Sequence, residues 1–430
     1  MPVERSQIAF VREEQLPERS PPVLETGAFK WIRENLLNGV TGTLLTLVSL
    51  YAIYFVLSSV LPWIINGLWN TNNIRECKDI LAGMSGGCFS VLSDRWNQLL
   101  FGITYPNDQY WRPSLAFVLL LIALAPVLFS QVPRQLLVFS ALYPFIAFWL
   151  IWGGTILVSA VALIGFGVAY MVYSRLVARS FAVAIVVGLL AAVVTWWLGG
   201  FVSDAFPDFA ALEVVASRDM GGFMLNMILG VVCVSLSLPL GILLALGRQS
   251  SMPIIKWICV VFIEFIRGVP LITLLFVANV VLAYFLPPGS NFDLILRVII
   301  MITMFAAAYI AEVIRGGLAA LPRGQYEAAD SVGLDYAQSM RLIILPQALK
   351  ISIPGIVNVA VGLFKDTTLV SVISMFDLVG MIRGPILAST DWNGVYWELW
   401  LFAAVLFFTV CYGISQYSQW LERQLTTDHR

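Results

Sequence analysis

Charge is scarce in this sequence. Only 12% of its 430 residues are charged, while 59% are apolar. A soluble domain of this length places roughly a quarter of its residues in charge. The chain therefore cannot wet its surface in water, whereas a surface facing lipid needs no charge. Histidine is scarcer still: the one copy, His429, stands at the C-terminal end, so neither an imidazole metal cluster nor a histidine-based triad can be built. The five cysteines (Cys77, Cys88, Cys233, Cys259, Cys411) fit neither a zinc spacing nor a redox pair. No glycine-rich loop ends in Gly-Lys-Ser/Thr, so the amides that would cradle a nucleotide phosphate are missing. A formal net charge of −1 without a basic run predicts no nucleic-acid partner.

What the chain has in abundance is long apolar runs. A bilayer crossing takes about 20 apolar residues. Runs of that order lie near 41–63, 113–130, 136–151, 154–174, 180–200, 222–246, 257–285, 293–315, 349–372 and 395–417. The fold class this predicts is all-α: a polytopic membrane protein with about ten transmembrane helices. No cleavage site of small residues follows the first run, so it reads as a retained span.

Lysine and arginine set the expected orientation. With the N-terminus inside, the cytoplasmic segments hold sixteen of them and the external segments six. That bias follows the positive-inside rule and puts both termini in the cytoplasm. The chain then divides into an N-terminal segment (1–40), accessory helices (41–200) with an external loop at 64–112, a working half (222–418) and a tail (419–430). Cys77 and Cys88 fall in the external loop, on the oxidising side, and are expected to form a disulfide.

In the working half, charges press against the membrane: Glu264, Arg267, Arg297, Glu312, Lys365 and Asp366. A charge at mid-bilayer costs about 2.5–3.5 kcal/mol, so retained charges usually face the bundle interior or a polar cavity. Arg267 and Arg297 can also snorkel to headgroups. Lys365, Asp366, Thr367 and Thr368 interrupt a span and offer ammonium, carboxylate and hydroxyls. They can line a cavity, form a structural ion pair between helices, or sit on an exposed loop.

The stretch LPRGQYEAADSVGLDYAQSMRLIILPQAL (321–349) lies between two spans. It parses as a short helix holding Glu327, Ala328 and Ala329, a turn at Gly333, and a second helix ending before Pro346. Small alanines would let the first helix settle into a groove on another protein, with Glu327 as a charge at its rim.

This stretch resembles the EAA loop of ATP-binding-cassette (ABC) importer permeases, with Glu327, Ala328, Ala329, Gly333, Leu345 and Pro346 in the motif positions. Its neighbours FIEFIRGVPL (262–271), AAYIAEVIRGG (307–317), LPQAL (345–349) and LFKDTTLVSVI (363–373) resemble blocks of the polar amino-acid branch. The likeness covers roughly 222–418, and the five spans before it resemble the enlarged permeases of general or acidic amino-acid importers.

The resemblance implies a type I ABC importer permease core in a bacterial inner membrane. It implies a path for L-amino acids that is lined by groups such as Glu312, Lys365, Asp366 and Thr367. The coupling residues would be Glu327, Ala328, Ala329 and Gly333. The chain itself would bind no cofactor. ATP and magnesium would sit on two partner ATPases, beside a second, similar permease and a periplasmic amino-acid-binding protein. The competing reading is a secondary transporter driven by an ion gradient, which also predicts many spans and intramembrane charges. It leaves the LPRGQYEAADSVG stretch unexplained. An intramembrane enzyme would need a nucleophile with a base, or a metal cluster, and the solitary tail histidine, scattered cysteines and lack of paired metal ligands argue against it.

Overall fold

The computed structural model describes residues 27–281 and 292–426. The far end of the expected 257–285 span, His429 and the first 26 residues lie outside them. Among the described residues the regular structure is helical, and nine helices are long and apolar enough to cross a bilayer. A bent pair makes up to ten. The protein is a polytopic all-α membrane protein.

Two compact units are present. One holds the described residues up to Gly67 together with Leu81–Gly87; the other holds Leu68–Ile80 and the described residues from Cys88 onward. In the first, α1 (Gly27–Asn35) precedes the span α2 (Gly39–Ile65), in which no residue is buried. An apolar helix exposed on all sides is stable only where lipid replaces water. Its end is tied to 81–87 by Gly87 N–H donating to Trp63 O at 2.8 Å and Asn66 Nδ2 to Ser85 O at 3.0 Å.

After α3 (Ile74–Leu81), the second unit continues through the short helices α4 (Ser90–Asp94) and α5 (Trp96–Phe101). Four spans follow: α6 (Trp111–Leu128), α7 (Leu137–Trp152), α8 (Ile156–Leu176) and α9 (Phe181–Ala205). Consecutive pairs pack side by side. Arg112, fully buried, ties the start of α6 to the end of α7 and to the chain before the working half. It donates to Leu150 O at 2.6 Å and Glu213 O at 2.8 Å. These carbonyls satisfy a guanidinium that pairs with no carboxylate among the described residues.

The working half comprises α10 (Gly222–Gln249), α11 (Pro253–Gly268), α12 (Leu271–Phe276) and α13 (Leu294–Ala319). It continues with α14 (Arg323–Ser331), α15 (Tyr336–Ser339), α16 (Leu345–Asp366), α17 (Leu378–Met381) and α18 (Tyr396–Thr426). Helices α10 and α13 form the centre, with α16 against α13 and α18 against α16. Close approach explains the glycine at 317: a Cβ there would collide with Ser352 Oγ and Ala348 O on α16.

Two expectations need correcting. The seventh span is not straight, because α11 and the α12 segment meet at 102°. Pro270 has no N–H to donate and disfavours helical backbone at Val269, which is extended (φ −106°, ψ 131°). The second helix of the 321–349 stretch does not end before Pro346. A π-turn at Met340–Ile344 widens the helix, and Pro346 then sits in the first turn of α16, where its missing N–H costs nothing. The result is one helical run from Tyr336 to Ile373.

Candidate functional site

Three arrangements in the working half carry chemistry. The first is the connection after α13. Helix α14 ends in a left-handed turn at Gly333 (φ +78°), where Gly333 N–H donates to Asp330 O at 3.0 Å and Leu334 N–H to Ala329 O at 3.2 Å. A non-glycine residue would be strained at that φ. Asp335 then starts α15 with a capping box: its carboxylate accepts from Gln338 N–H at 2.7 Å, and its own N–H donates to Gln338 Oε1 at 3.2 Å.

Glu327, Ala328 and Gly333 are exposed on this connection, together with Val332 and Tyr336. Ala329 is fully buried within its own chain. This corrects its expected place on the outer surface: at helical spacing Ala328 turns outward while Ala329 faces the core beneath it. Two contacts fasten α14 to the long helix. Gln347 Nε2 donates to Gln325 Oε1 at 3.0 Å, and Tyr326 packs on the cluster containing Ile344 and Ala348.

The second arrangement is a charge network where α10, α11 and α13 converge. Glu312 meets Arg315 at 2.5 Å, Arg248 at 3.3 Å and Arg267 at 3.6 Å. Arg248 also meets Glu264 at 2.9 Å, and Arg267 lies over the Tyr309 ring at 5.6 Å. Each carboxylate compensates more than one guanidinium, which is how charges persist inside a bundle. Arg267 stands just before the 102° bend, so the network sits against the one described break in a span of this half. The sequence singled out Glu264, Arg267 and Glu312 as intramembrane charges. It did not connect them to Arg248 and Arg315, which read as ordinary loop-edge residues.

The third arrangement lies at the opposite end of α10. Asn226 Nδ2 donates to Asp377 Oδ2 at 3.0 Å and to Thr367 Oγ1 at 2.9 Å, while its Oδ1 accepts from Leu378 N–H at 3.1 Å. Asp377 caps α17 by accepting from Gly380 N–H at 2.9 Å and Val379 N–H at 3.3 Å. All three side chains are buried. Burial pushes the Asp377 carboxyl up to about 6, against the opposing pull of the Asn226 and backbone donors. Neither Asn226 nor Asp377 announced itself in the sequence, because single polar residues at span ends are ordinary.

The four residues expected to line a path are therefore not in one place. Thr367 is fully buried and donates to Phe364 O at 2.7 Å, so its hydroxyl serves packing rather than an open path. Asp366 is partly buried and Lys365 exposed. Glu312 belongs to the arginine network. Val313 next to it packs at the level of Gly355, ten residues before Lys365, which is about 15 Å along the helix. Arg297 is held by carbonyls, donating to Phe292 O at 2.9 Å.

Cys77 and Cys88 form a disulfide with Cα atoms 6.1 Å apart. Cys88 and residues flanking the bridge are fixed to the working half: Cys88 N–H donates to Glu398 Oε1 at 2.8 Å, Ile74 N–H to Asp391 O at 2.8 Å, and Trp392 Nε1 to Asp94 Oδ2 at 2.7 Å.

Residues 237–426 match the family described as binding-protein-dependent transport system inner membrane component. The chain is 51% identical to the glutamate/glutamine/aspartate/asparagine transport system permease protein of Rhodobacter capsulatus, over 99% of this chain and all of that one. It is 35% identical to an inner membrane amino-acid ABC transporter permease protein of Escherichia coli K12, over 96% of each. A solved amino acid ABC transporter with histidines aligns at 31% identity and a TM-score of 0.42, covering 47% of this chain and 92% of that one.

Proposed function

We propose that this chain, which belongs to the family of amino-acid ABC transporter permeases, forms part of the path by which an ATP-driven importer carries acidic and amide amino acids across the inner membrane. The observation that carries the cargo class is the 51% identity over 99% of the chain to a permease named for glutamate, glutamine, aspartate and asparagine. Family membership also removes the ion-gradient alternative: a permease subunit of this kind carries no ATPase site and works with ATPase and permease partners.

The finer arrangement is our reading. A second, similar permease completes the path, two ATPases hold ATP and magnesium, and a periplasmic binding protein delivers cargo. Both termini face the cytoplasm, as does the turn after α14. Glu327, Ala328 and Gly333 on that turn meet an ATPase groove, while buried Ala329 anchors the helix that presents them. ATPase closure then displaces α14, and the Gln325–Gln347 bond passes the displacement to the Tyr336–Ile373 run. Thr367 lies near the far end of that run, bonded to Asn226, so a shift at one membrane face reaches the other. The accessory helices α6–α9 brace this machine through Arg112.

For cargo, the arginine network beside the α11–α12 bend supplies guanidiniums that exchange water for a carboxylate. An exposed lysine within a span is costly against lipid, which supports a hydrated path along Lys365 and Asp366.

The test is uptake of radiolabelled glutamate by proteoliposomes holding the purified complex, with ionophores present. ATP-dependent accumulation is the expected result. Accumulation that needs an ion gradient and ignores ATP would contradict the reading.

A further inference from the structure

We propose that the cleft where α10 ends, α11 begins and α13 finishes binds the phosphate of an anionic lipid. Arg248, Gln249, Lys256, Val260, Arg315 and Ala319 line an open cavity of about 560 Å³ there. Gln249 is the last residue of α10, Lys256 lies in the first turn of α11, and Ala319 is the last residue of α13. Three span ends thus meet at one membrane boundary, the depth at which headgroups lie.

The charge in the cleft is unbalanced. Arg248, Lys256 and Arg315 line it, and with Arg267 of the adjoining network they set four cations against two carboxylates, Glu264 and Glu312, an excess of two positive charges. Arg248 uses Nη1 for its carboxylates and Arg315 uses Nε and Nη2, so both guanidiniums keep further N–H donors. Lys256 makes no ion pair among the described residues. A phosphate accepts from several donors at once and neutralises this excess.

The tails have a place as well. Ile254, Trp257, Ile258, Val261 and Phe265 are exposed at spacings of three and four on another face of α11. Trp257, 68% exposed, lies beside Lys256 with the amphipathic ring that favours the headgroup level. A cluster of cations at headgroup depth, beside an indole that favours that depth, suits a lipid phosphate held in the membrane more than a free anion. The inference concerns one boundary of the bundle and holds whichever compartment that boundary faces. It shares Arg248, Arg267 and Arg315 with the network proposed to meet cargo, and its test reads lipid and lysine rather than transport.

The test is amine acylation of the reconstituted complex in nanodiscs, followed by mass spectrometry at Lys256, Lys30 and Lys350. Replacing phosphatidylcholine with phosphatidylglycerol should slow acylation of Lys256 by about fivefold while Lys30 and Lys350 change little. Native mass spectrometry of the detergent-extracted complex should find phosphatidylglycerol retained by wild type and lost from Lys256→Gln, a substitution that breaks no ion pair. Equal slowing at all three lysines would reduce the effect to general surface potential and overturn the site. Protection by inorganic phosphate alone would overturn the lipid assignment, as would unchanged acylation with equal lipid retention in the variant.

Discussion

Asn226 and Asp377 are separated by 151 positions in the sequence, yet their side chains meet at 3.0 Å in a fully buried pocket. The Asn226 amide nitrogen reaches both Asp377 and Thr367, and its amide oxygen accepts from Leu378 N–H. One side chain therefore joins α10, the end of the long α16 run and the cap of α17. Replacing it with alanine leaves Leu378 N–H and the Asp377 carboxylate short of partners. Each such group costs about 1–3 kcal/mol. Asn226→Ala should lower the thermal midpoint of the detergent-solubilised complex by several degrees, whereas Ser251→Ala at an exposed turn should not.

The same pocket predicts a pH dependence. Burial raises the Asp377 carboxyl from its ordinary 3.8 to about 6, so the folded chain holds this proton more tightly than the unfolded one. The stability associated with the neutral form is fully present below pH 3.8 and is lost as pH rises through about 6. The size is on the order of 3 kcal/mol. Between pH 4 and 7, the fall in thermal midpoint should be shallower in Asp377→Asn than in wild type, whatever other groups contribute. Parallel curves for the two proteins would remove Asp377 as the source.

Much of this architecture was legible in the sequence, and the reasons it was legible also explain what was not. Nine spans could be read because about 20 apolar residues in a row have few other uses. The bend at Gly268-Val269-Pro270 was readable in principle, but an apolar run hides a break that leaves hydropathy unchanged. The continuation through Pro346 was hidden because a proline stops a helix only where the preceding turn is a regular α-turn; the π-turn at Met340–Ile344 removes that conflict. Glu327, Ala328, Ala329 and Gly333 were identified together, yet separating outward Ala328 from inward Ala329 requires the helix phase. The Asn226–Asp377 pair was invisible because side chains far apart in sequence leave no local pattern when they meet.

Charge substitutions should separate cargo selection from folding. Glu312→Gln leaves three arginines with one fewer carboxylate. Since Glu312 is 23% exposed, the stability cost should be about 1–3 kcal/mol, below that of a fully buried pair. Arg267→Gln removes a guanidinium at the bend and should reduce glutamate uptake more than glutamine uptake. Measured in the same proteoliposomes, an unchanged glutamate-to-glutamine ratio would detach the network from cargo recognition.

The disulfide offers an independent check on the segment between α2 and α6. Paired replacement of Cys77 and Cys88 by serine should cost about 2–3 kcal/mol. It should also loosen the Cys88–Glu398 and Trp392–Asp94 contacts, which hydrogen exchange at the Cys88 amide and the Trp392 indole N–H would register. Intact mass of the unreduced, alkylated protein should be lower by four labels than that of the reduced and alkylated protein if both Cys77 and another pair were bridged, and by two labels with Cys77–Cys88 alone, which is the expected result.

The central claim is that the exposed turn after α14 couples ATP hydrolysis to movement of the helix behind it. Gly333→Val forces a β-branched residue into a φ of +78° with open space around it, so the damage is confined to the turn. Ala328→Leu changes the outward surface without touching the core that holds Ala329. The direct measurement is stimulation of ATP hydrolysis by the cargo-loaded binding protein in reconstituted complexes, with assembly checked beside it. The account predicts assembled complexes whose stimulation falls at least about tenfold in both variants, equivalent to ~1.4 kcal/mol of lost coupling, together with crosslinks from position 328 to the ATPase in wild type. Full stimulation in both variants, with no crosslink from that position, would contradict it.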